Sequence, residues 1–398
     1  MLGPKRGKTE VDPAQQRTQV LSSLLEVGRQ LYGHDDNQEM LDTILTHARK
    51  LTGAEAGSMF LVNRDQLKFG TVQNDAIDTT NIARNLLGRT MPATMESLAG
   101  FVTLTGDIAN IPDSYNLPEG TPFHINREFD TATGYKTRSI LAVPLNCPDG
   151  TCVGVLQLIN HIGPDGQTGV FDDPSDSGVL LLASSAAVTV HNAILQEQLY
   201  QAHLGTIYRL AVVAEYRDSD TGDHIRRVSH TSKLIARAIG IDKDLVELIE
   251  HASQMHDVGK VAVPDSILLK PGHLTPAQRE IMQKHTTIAA EILVNPEDEV
   301  LAMGRDIALN HHERWDGQGY PNGLAKRDIP LSARIVAVAD VFDAVVSHRC
   351  YKAACSFDVA LDIIANDSGR HFDPEVTKAF FSTVEGILEA YPSSREPC

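Results

Sequence analysis

Nine of the sixteen histidines fall between residues 201 and 312, and several sit where a helix would turn them toward its own core. A buried imidazole or carboxylate is costly unless something compensates it, so this placement limits how the chain can fold. In LVELIEHASQMHDVGK, residues 245–260, the residues Leu245, Leu248, Ile249, Ala252 and Met255 form the apolar stripe of a helix. His256 lies at the edge of that stripe, Asp257 follows it, and Gly259 can end the helix. His224 precedes Val228 and Ile235 on one helical face, and His285 stands among Ile281, Ile288 and Ile292. His311 and His312 close another helix, and Asp340 sits in the otherwise apolar ARIVAVADVFDAVV. A core histidine beside a capping acid would explain any one of these positions. Five histidines and two carboxylates on different inward faces predict a cluster that converges on cations. Imidazole and carboxylate donors without nearby cysteine suit Fe, Mn, Zn, Ni or Co. Asp257, next to a histidine, is placed to bridge two ions about 3.5–4 Å apart, an arrangement suited to displacement at phosphorus.

The rest of the chain divides around this region. Beyond Tyr208 strand signals vanish, and helices are expected at 207–217, 224–238, 243–256, 276–293, 299–310, 332–347 and 356–366. Before it, helical spacing at Val20–Leu31 and Met40–Leu51 gives way to short strand patterns. These are GSMFLV, KFGTV, SILAVPL and CVGVLQLIN, the last two paired around Pro148-Asp149-Gly150. Residues 177–216 are nearly free of Gly and Pro and keep apolar residues at helical spacing through Leu180, Val188, Ile194, Leu199, Leu204, Ile207 and Leu210. That long helix is expected to pair with its copy in a homodimer; a single helix packing on both neighbouring domains is the alternative. The layout is multidomain: an N-terminal polar segment and helix (1–34), an α+β sensor-like domain (35–195), a helical linker (196–208) and an all-α helical bundle (209–398).

Lys and Arg number 35 against 52 Asp and Glu, a net charge of −17 that argues against DNA, RNA or an anionic membrane surface as partner. The opening MLGPKRGKTEVDPAQQ lacks an apolar core, so no secretory leader is expected. Residues 178–195 are apolar and long enough on paper for a span, but they carry Ser184, Ser185, Thr189, His191 and Asn192, which favours a buried or dimer-facing helix. Five cysteines make no disulfide framework, and reduced thiols in the cytoplasm are expected.

The stretch AGSMFLV, SLAGFVTLTGDIANIPDSY, TGYKTRSILAVPL and GVLQLIN, within about residues 36–195, resembles a GAF domain, a small-molecule sensor module. The Asn-Lys, Phe, Asp-Glu signature of cyclic-nucleotide GAF domains is matched only in part, by Asn160, Phe171 and Asp172, with His161 in place of Lys. The sensor ligand is therefore unassigned, and a structural or dimerising role is equally open.

His224, His256-Asp257, His285, His311-His312 and Asp340 resemble the HD superfamily of metal-dependent phosphohydrolases. HHERWDGQGYPNGL, with Gly319-Tyr320-Pro321, narrows the resemblance to the HD-GYP family over roughly residues 205–385; RDSDTGDHIRRV, HDVGK, QKHTTIAAEIL, ARIVAVADVFDA and HFDP occur in order. The resemblance implies hydrolysis of cyclic di-GMP through pGpG to GMP, with a cyclic GMP-AMP dinucleotide or a catalytically silent cyclic-dinucleotide receptor as alternatives. It implies two or three divalent ions, Fe or Mn, held by His224, His256, Asp257, His285, His311, His312 and Asp340. It makes Lys260 the catalytic lysine beside Asp257, a residue that would otherwise read as a helix-end cation. Asp343, Arg349 and Lys352 match substrate-holding positions, although Cys350 stands where the family often has proline. Asp220, four residues before His224, matches the acid of a third metal, or serves as a helix cap. The Gly319-Tyr320-Pro321 loop is expected to contact a diguanylate cyclase domain.

Overall fold

The computed structural model describes residues 37–78, 87–174, 178–218, 223–295, 297–347 and 356–391. It separates into two compact units that meet between Gln198 and Leu199. The expected helix at Val20–Leu31 lies outside the described residues.

In the first unit the strand patterns form one antiparallel sheet: β1 (Ala54–Asn63), β2 (Gln66–Asn74), β3 (Thr90–Pro92), β4 (Ala109–Ile111), β5 (Ile140–Asn146), β6 (Cys152–Ile162) and β7 (Thr168–Gly169). Strand order is β3-β2-β1-β6-β5-β4, with β7 paired to β6. The alternation of side chains along a strand gives the sheet two apolar faces. On β5, Leu141, Val143 and Leu145 join a core with Met59, Leu156 and Leu158, covered by Ile44, Leu45 and Ala48 of the Asn37–Thr52 helix. The intervening Ile140 and Ala142 face the other way, against Leu98, Val102, Ile111 and Phe123.

Asn160, a partial match to the nucleotide signature, has a structural post here. Its amide donates to Glu55, to the Tyr135 hydroxyl and to the Lys136 carbonyl, while its side-chain oxygen accepts from the Arg138 amide. These bonds tie the 135–138 segment to β6. The same unit holds a cavity of ≈ 640 Å³ whose lining includes Phe60, Phe69, Met91, Phe129, Tyr135 and Gln157. That size suits a small ligand. Cys147 and Cys152 are free thiols.

The periodic stretch after residue 177 is one helix, Val179–Glu215. Val179, Leu182, Ala183, Ala186, Ala187 and Val190 enter the first unit's core. Leu204 and Ile207 enter a different core, with Met255, Ala289 and Leu293. The helix is long and apolar enough to cross a membrane by length and composition. Its first turns are buried in the sheet's core.

Among the described residues the second unit is helical, with helices Asp223–Ile239, Lys243–Ser253, Asp265–Leu268, Pro276–Ile292, Glu299–Asn310, Leu331–Val346, Phe357–Asn366, Pro374–Ser382 and Val384–Leu388. Two expectations differ in detail. The helix carrying Ala252 stops at Ser253, so His256 and Asp257 lie in the turn after it, followed by a 3-10 turn at Val258–Ala262. The apolar stripe expected around His285 is not the buried face either: Ile281 and Ile292 are exposed, and His285 is buried with Thr286, Ala289 and Ala290. The reason is a close approach of backbones. A Cβ on Gly259 would fall 1.9 Å from the His285 carbonyl oxygen and 2.7 Å from the Ala289 nitrogen, so only glycine fits at position 259. That contact presses the Asp257 turn against the His285 helix.

Candidate metal centre

Each imidazole of the cluster comes from a different local setting, yet four are oriented alike. His224 is held through Nδ1 by Asp343 at 2.6 Å, His256 by the Ser253 carbonyl at 3.0 Å, His285 by the Met282 carbonyl at 2.7 Å, and His311 by the Ile307 and Ala308 carbonyls at 3.2 and 3.1 Å. The Nε2 atoms of all four are buried and without a hydrogen-bond partner, as are Oδ1 of Asp257 and Oε2 of Glu215. Buried polar groups are almost always paired, so a convergent set of orphaned donor atoms is the mark of an ion's place.

Asp257 stands at the centre. Its Oδ1 faces His285 Nε2 at 3.3 Å and His311 Nε2 at 3.7 Å, while Oδ2 faces His256 Nε2 at 3.4 Å and the Lys260 ammonium at 2.7 Å. On the other side, His224 Nε2 lies 3.7 Å from Glu215 and 3.6 Å from Asp340, and Asp340 is 3.8 Å from His256 Nε2. Ligand atoms each about 2.0–2.2 Å from one cation are spaced like this. Two groups result, Asp257 with His285, His311 and His312, and Glu215 with His224, His256 and Asp257; within each, the candidate ligand atoms lie within 4.8 Å of one another. The donors fit divalent ions of the kind their N and O chemistry favours.

The electrostatics support the same reading. Burial pushes His311 down to about 4 and holds His312 well below the usual histidine range, so both rings are neutral and free to ligate. Burial also opposes charge on His256, but Asp257, Asp340 and Glu215 outweigh it and push that ring up to about 9. His224 is raised in the same way: burial resists, and the hydrogen bond to Asp343 with the nearby Glu215 overcomes it. Asp257 is held well below the carboxylate range against burial by Lys260 and His256, whereas burial raises Glu215.

His224, His256, Asp257, His285, His311, His312 and Asp340 are thus brought together, with Lys260 beside them. Asp220, Arg349 and Lys352 lie outside the described residues. Asp343, expected at the substrate, stands beside His224. It is fully buried. Its oxygens are engaged by His224, by Arg227 through two bonds, by Ser347 and by the Tyr391 hydroxyl. Such a carboxylate orients a ligand histidine and fixes its tautomer.

Glu215 is the acid that the sequence reading missed. It is 3% exposed at the last position of the Val179–Glu215 helix. Its signal was present as the one acid in LAVVAE, but a charge at the end of an amphipathic helix usually faces water, and nothing local distinguishes this one.

Two outcomes follow for metal binding. A ligating histidine must shed its proton. Mn²⁺ affinity should therefore rise with pH, by up to about tenfold per unit for each proton shed from His224 and His256, with the His256 part levelling off above about 9, where that ring is already neutral. Mn²⁺ titrations across this range check it, and a flat profile would contradict the assignment of His256. Asp343→Asn should weaken Mn²⁺ binding about 10–100-fold while leaving the KM for substrate unchanged at saturating metal. The reverse pattern, a raised KM with metal affinity intact, would return Asp343 to the substrate.

Residues 36–194 match the GAF domain model and residues 210–376 the HD domain model. Over 187 residues the chain is 46% identical to the cyclic di-GMP phosphodiesterase of Thermotoga maritima, covering 47% of this chain and 51% of that one. Over 174 residues it is 48% identical to the cyclic di-GMP phosphodiesterase response regulator RpfG of Xanthomonas campestris pv. campestris, covering 44% and 46%. It is 40% identical over 191 residues to the 3′3′-cGAMP-specific phosphodiesterase 2 of Vibrio cholerae, covering 48% and 37%. The chain spans about half or less of the length of these relatives. The histidine and aspartate cluster and the Gly319-Tyr320-Pro321 segment lie within the stretch that matches the HD domain model, and the stretch before it matches the GAF domain model.

Proposed function

We propose that the chain hydrolyses the phosphodiester bonds of cyclic di-GMP, through pGpG to GMP, at a centre of two or three divalent ions, under control of its GAF domain. One observation carries this reading: the orphaned Nε2 and carboxylate oxygen atoms that converge on Asp257, with Lys260 ion-paired beside them. Divalent ions, Fe or Mn, supply Lewis acidity and charge neutralisation for displacement at phosphorus. Asp257, His285, His311 and His312 would hold one ion, and Asp257, Glu215, His224 and His256, with Asp340 beside them, would hold the second. Asp220 is the remaining candidate for a third. Lys260 is 9% exposed, and its ammonium sits where it can neutralise non-bridging phosphate oxygens or give a proton to the leaving 3′-oxygen. Arg349 and Lys352 are proposed to hold the dinucleotide by its phosphates or guanine acceptors.

Purified protein loaded with Mn²⁺ or Fe²⁺ under reducing conditions should convert cyclic di-GMP to pGpG and GMP. Lys260→Ala should lower kcat about 10²–10⁴-fold with bound metal unchanged. Absence of product from metal-loaded unmutated protein would favour a receptor. The relative specific for 3′3′-cGAMP makes that dinucleotide the alternative substrate, and a higher kcat/KM for it would replace the first assignment.

We also propose that the Val179–Glu215 helix pairs with that of a second copy. Leu181, Val188 and Leu195 recur every seven residues, and with Leu199, Leu210 and Val213 they are exposed on this helix. Sedimentation should show a dimer that Leu195→Asp combined with Leu199→Asp converts to a monomer; a monomeric unmutated chain would remove the proposal. The proposal includes a soluble protein in the cytoplasm, in keeping with the first helical turns packed within the core of the sheet.

A further inference from the structure

His312 is the exception in the cluster. His224, His256, His285 and His311 are each fixed by a hydrogen bond at Nδ1. Among the described residues the His312 ring has no such bond. What flanks it is aromatic: the His311 ring at 4.0 Å between centroids, and the Tyr320 ring stacked at 4.8 Å with an interplanar angle of 28°. Tyr320 also stands edge-on to His285, 6.5 Å away.

The loop that carries Tyr320 is held against the same segment. The Tyr320 amide donates to the His312 carbonyl at 3.3 Å, and the Asn322 amide donates to the Glu313 carboxylate at 2.7 Å. Between them, a Cβ on Gly319 would fall 2.4–2.6 Å from the Arg314 nitrogen, the Glu313 Cα and the His312 carbonyl oxygen. Only glycine lets the chain return this closely. No hydrogen bond engages the Tyr320 hydroxyl among the described residues, so the contact made by this side chain is the face of its ring.

We propose that Tyr320 is a positioning residue whose ring, by stacking, sets the orientation of His312 as a metal ligand, replacing the hydrogen bond that orients each of the other histidines. The inference rests on the metal-centre reading. It makes Gly319 and Tyr320 act together, since the glycine permits the return of the chain and the tyrosine delivers a flat surface to the imidazole. Gln318 and Asn322 on the same loop remain exposed, so a contact with a cyclase domain would use other side chains.

The deciding measurement is Mn²⁺ binding by the full chain, by equilibrium dialysis with elemental analysis, independent of turnover. Tyr320→Phe keeps the ring and should bind as the unmutated protein does. Tyr320→Leu should raise the Mn²⁺ dissociation constant of one site by about tenfold or more, the scale seen when the group orienting a ligand is lost. In a His312→Ala background the same Tyr320→Leu change should add nothing, which separates an effect through His312 from general damage to the fold. Equal weakening by Phe and Leu would assign the role to the hydroxyl and overturn the proposal. Unaltered binding in Tyr320→Leu, or a full further loss in the His312→Ala background, would overturn it too. If the unmutated chain binds no Mn²⁺ at all, the metal centre itself is refuted, a result distinct from the others.

Discussion

The HD half of this molecule is organised around a carboxylate that has imidazoles on both sides and an ammonium beside it. Asp257 is almost fully buried, and burial alone would favour its neutral form. It stays charged because the Lys260 ammonium and the His256 ring face one of its oxygens, while His285 and His311 face the other. Moving this turn would break the Lys260–Asp257 ion pair in a dry interior, where an unpaired charge is costly. The close backbone contact of Gly259 with the His285 helix holds it in place. Packing density and electrostatics thus constrain the same few residues.

Much of this is legible in the sequence, though not always through the pattern that points to it. His224 lines up with buried Val228 and Ile235, as amphipathic periodicity requires. His285 is buried, but its apolar neighbours at helical spacing are not the ones buried with it. Hydrophobic patterning assumes that the inward face carries the largest side chains. Where two backbones nearly touch, the inward face carries the smallest, here Ala289 and Ala290, and the pattern reverses. Periodicity puts His256 at the edge of a helical stripe, yet it sits in the turn beyond, where the ladder has given way to single carbonyl bonds.

Polar residues that serve other polar residues are the hardest to place. Asp343 matches a substrate position by its motif, but its partners Arg227, Ser347 and Tyr391 are between 4 and 116 residues away in the chain, and no local pattern reports them. Glu215 lacks any motif spacing to His224 that would single it out. Tyr320 shows the same limit from the other side: the sequence marks Gly319-Tyr320-Pro321 as a signature, but a ring stacked on an imidazole leaves no trace in spacing or hydropathy. In each case the residue type is local information, and only the fold supplies its addressee.

Charge balance bears on the substrate proposed for this site. Asp257, Asp340 and Glu215 bring three carboxylates into the pocket against the one ammonium of Lys260, a deficit of two positive charges. In the metal-free state protons on His224 and His256 would offset it, and the same carboxylates raise both rings above the ordinary histidine value despite burial. Two divalent ions would displace those protons and leave the pocket with a surplus of two positive charges, equal and opposite to the two phosphodiester groups of a cyclic dinucleotide. A chain with net charge −17 would otherwise repel such a substrate. With three carboxylates among the described residues and neutral imidazoles such as His311 and His312 in the remaining positions, the donor set would leave the excess positive charge that the proposed dianionic substrate calls for.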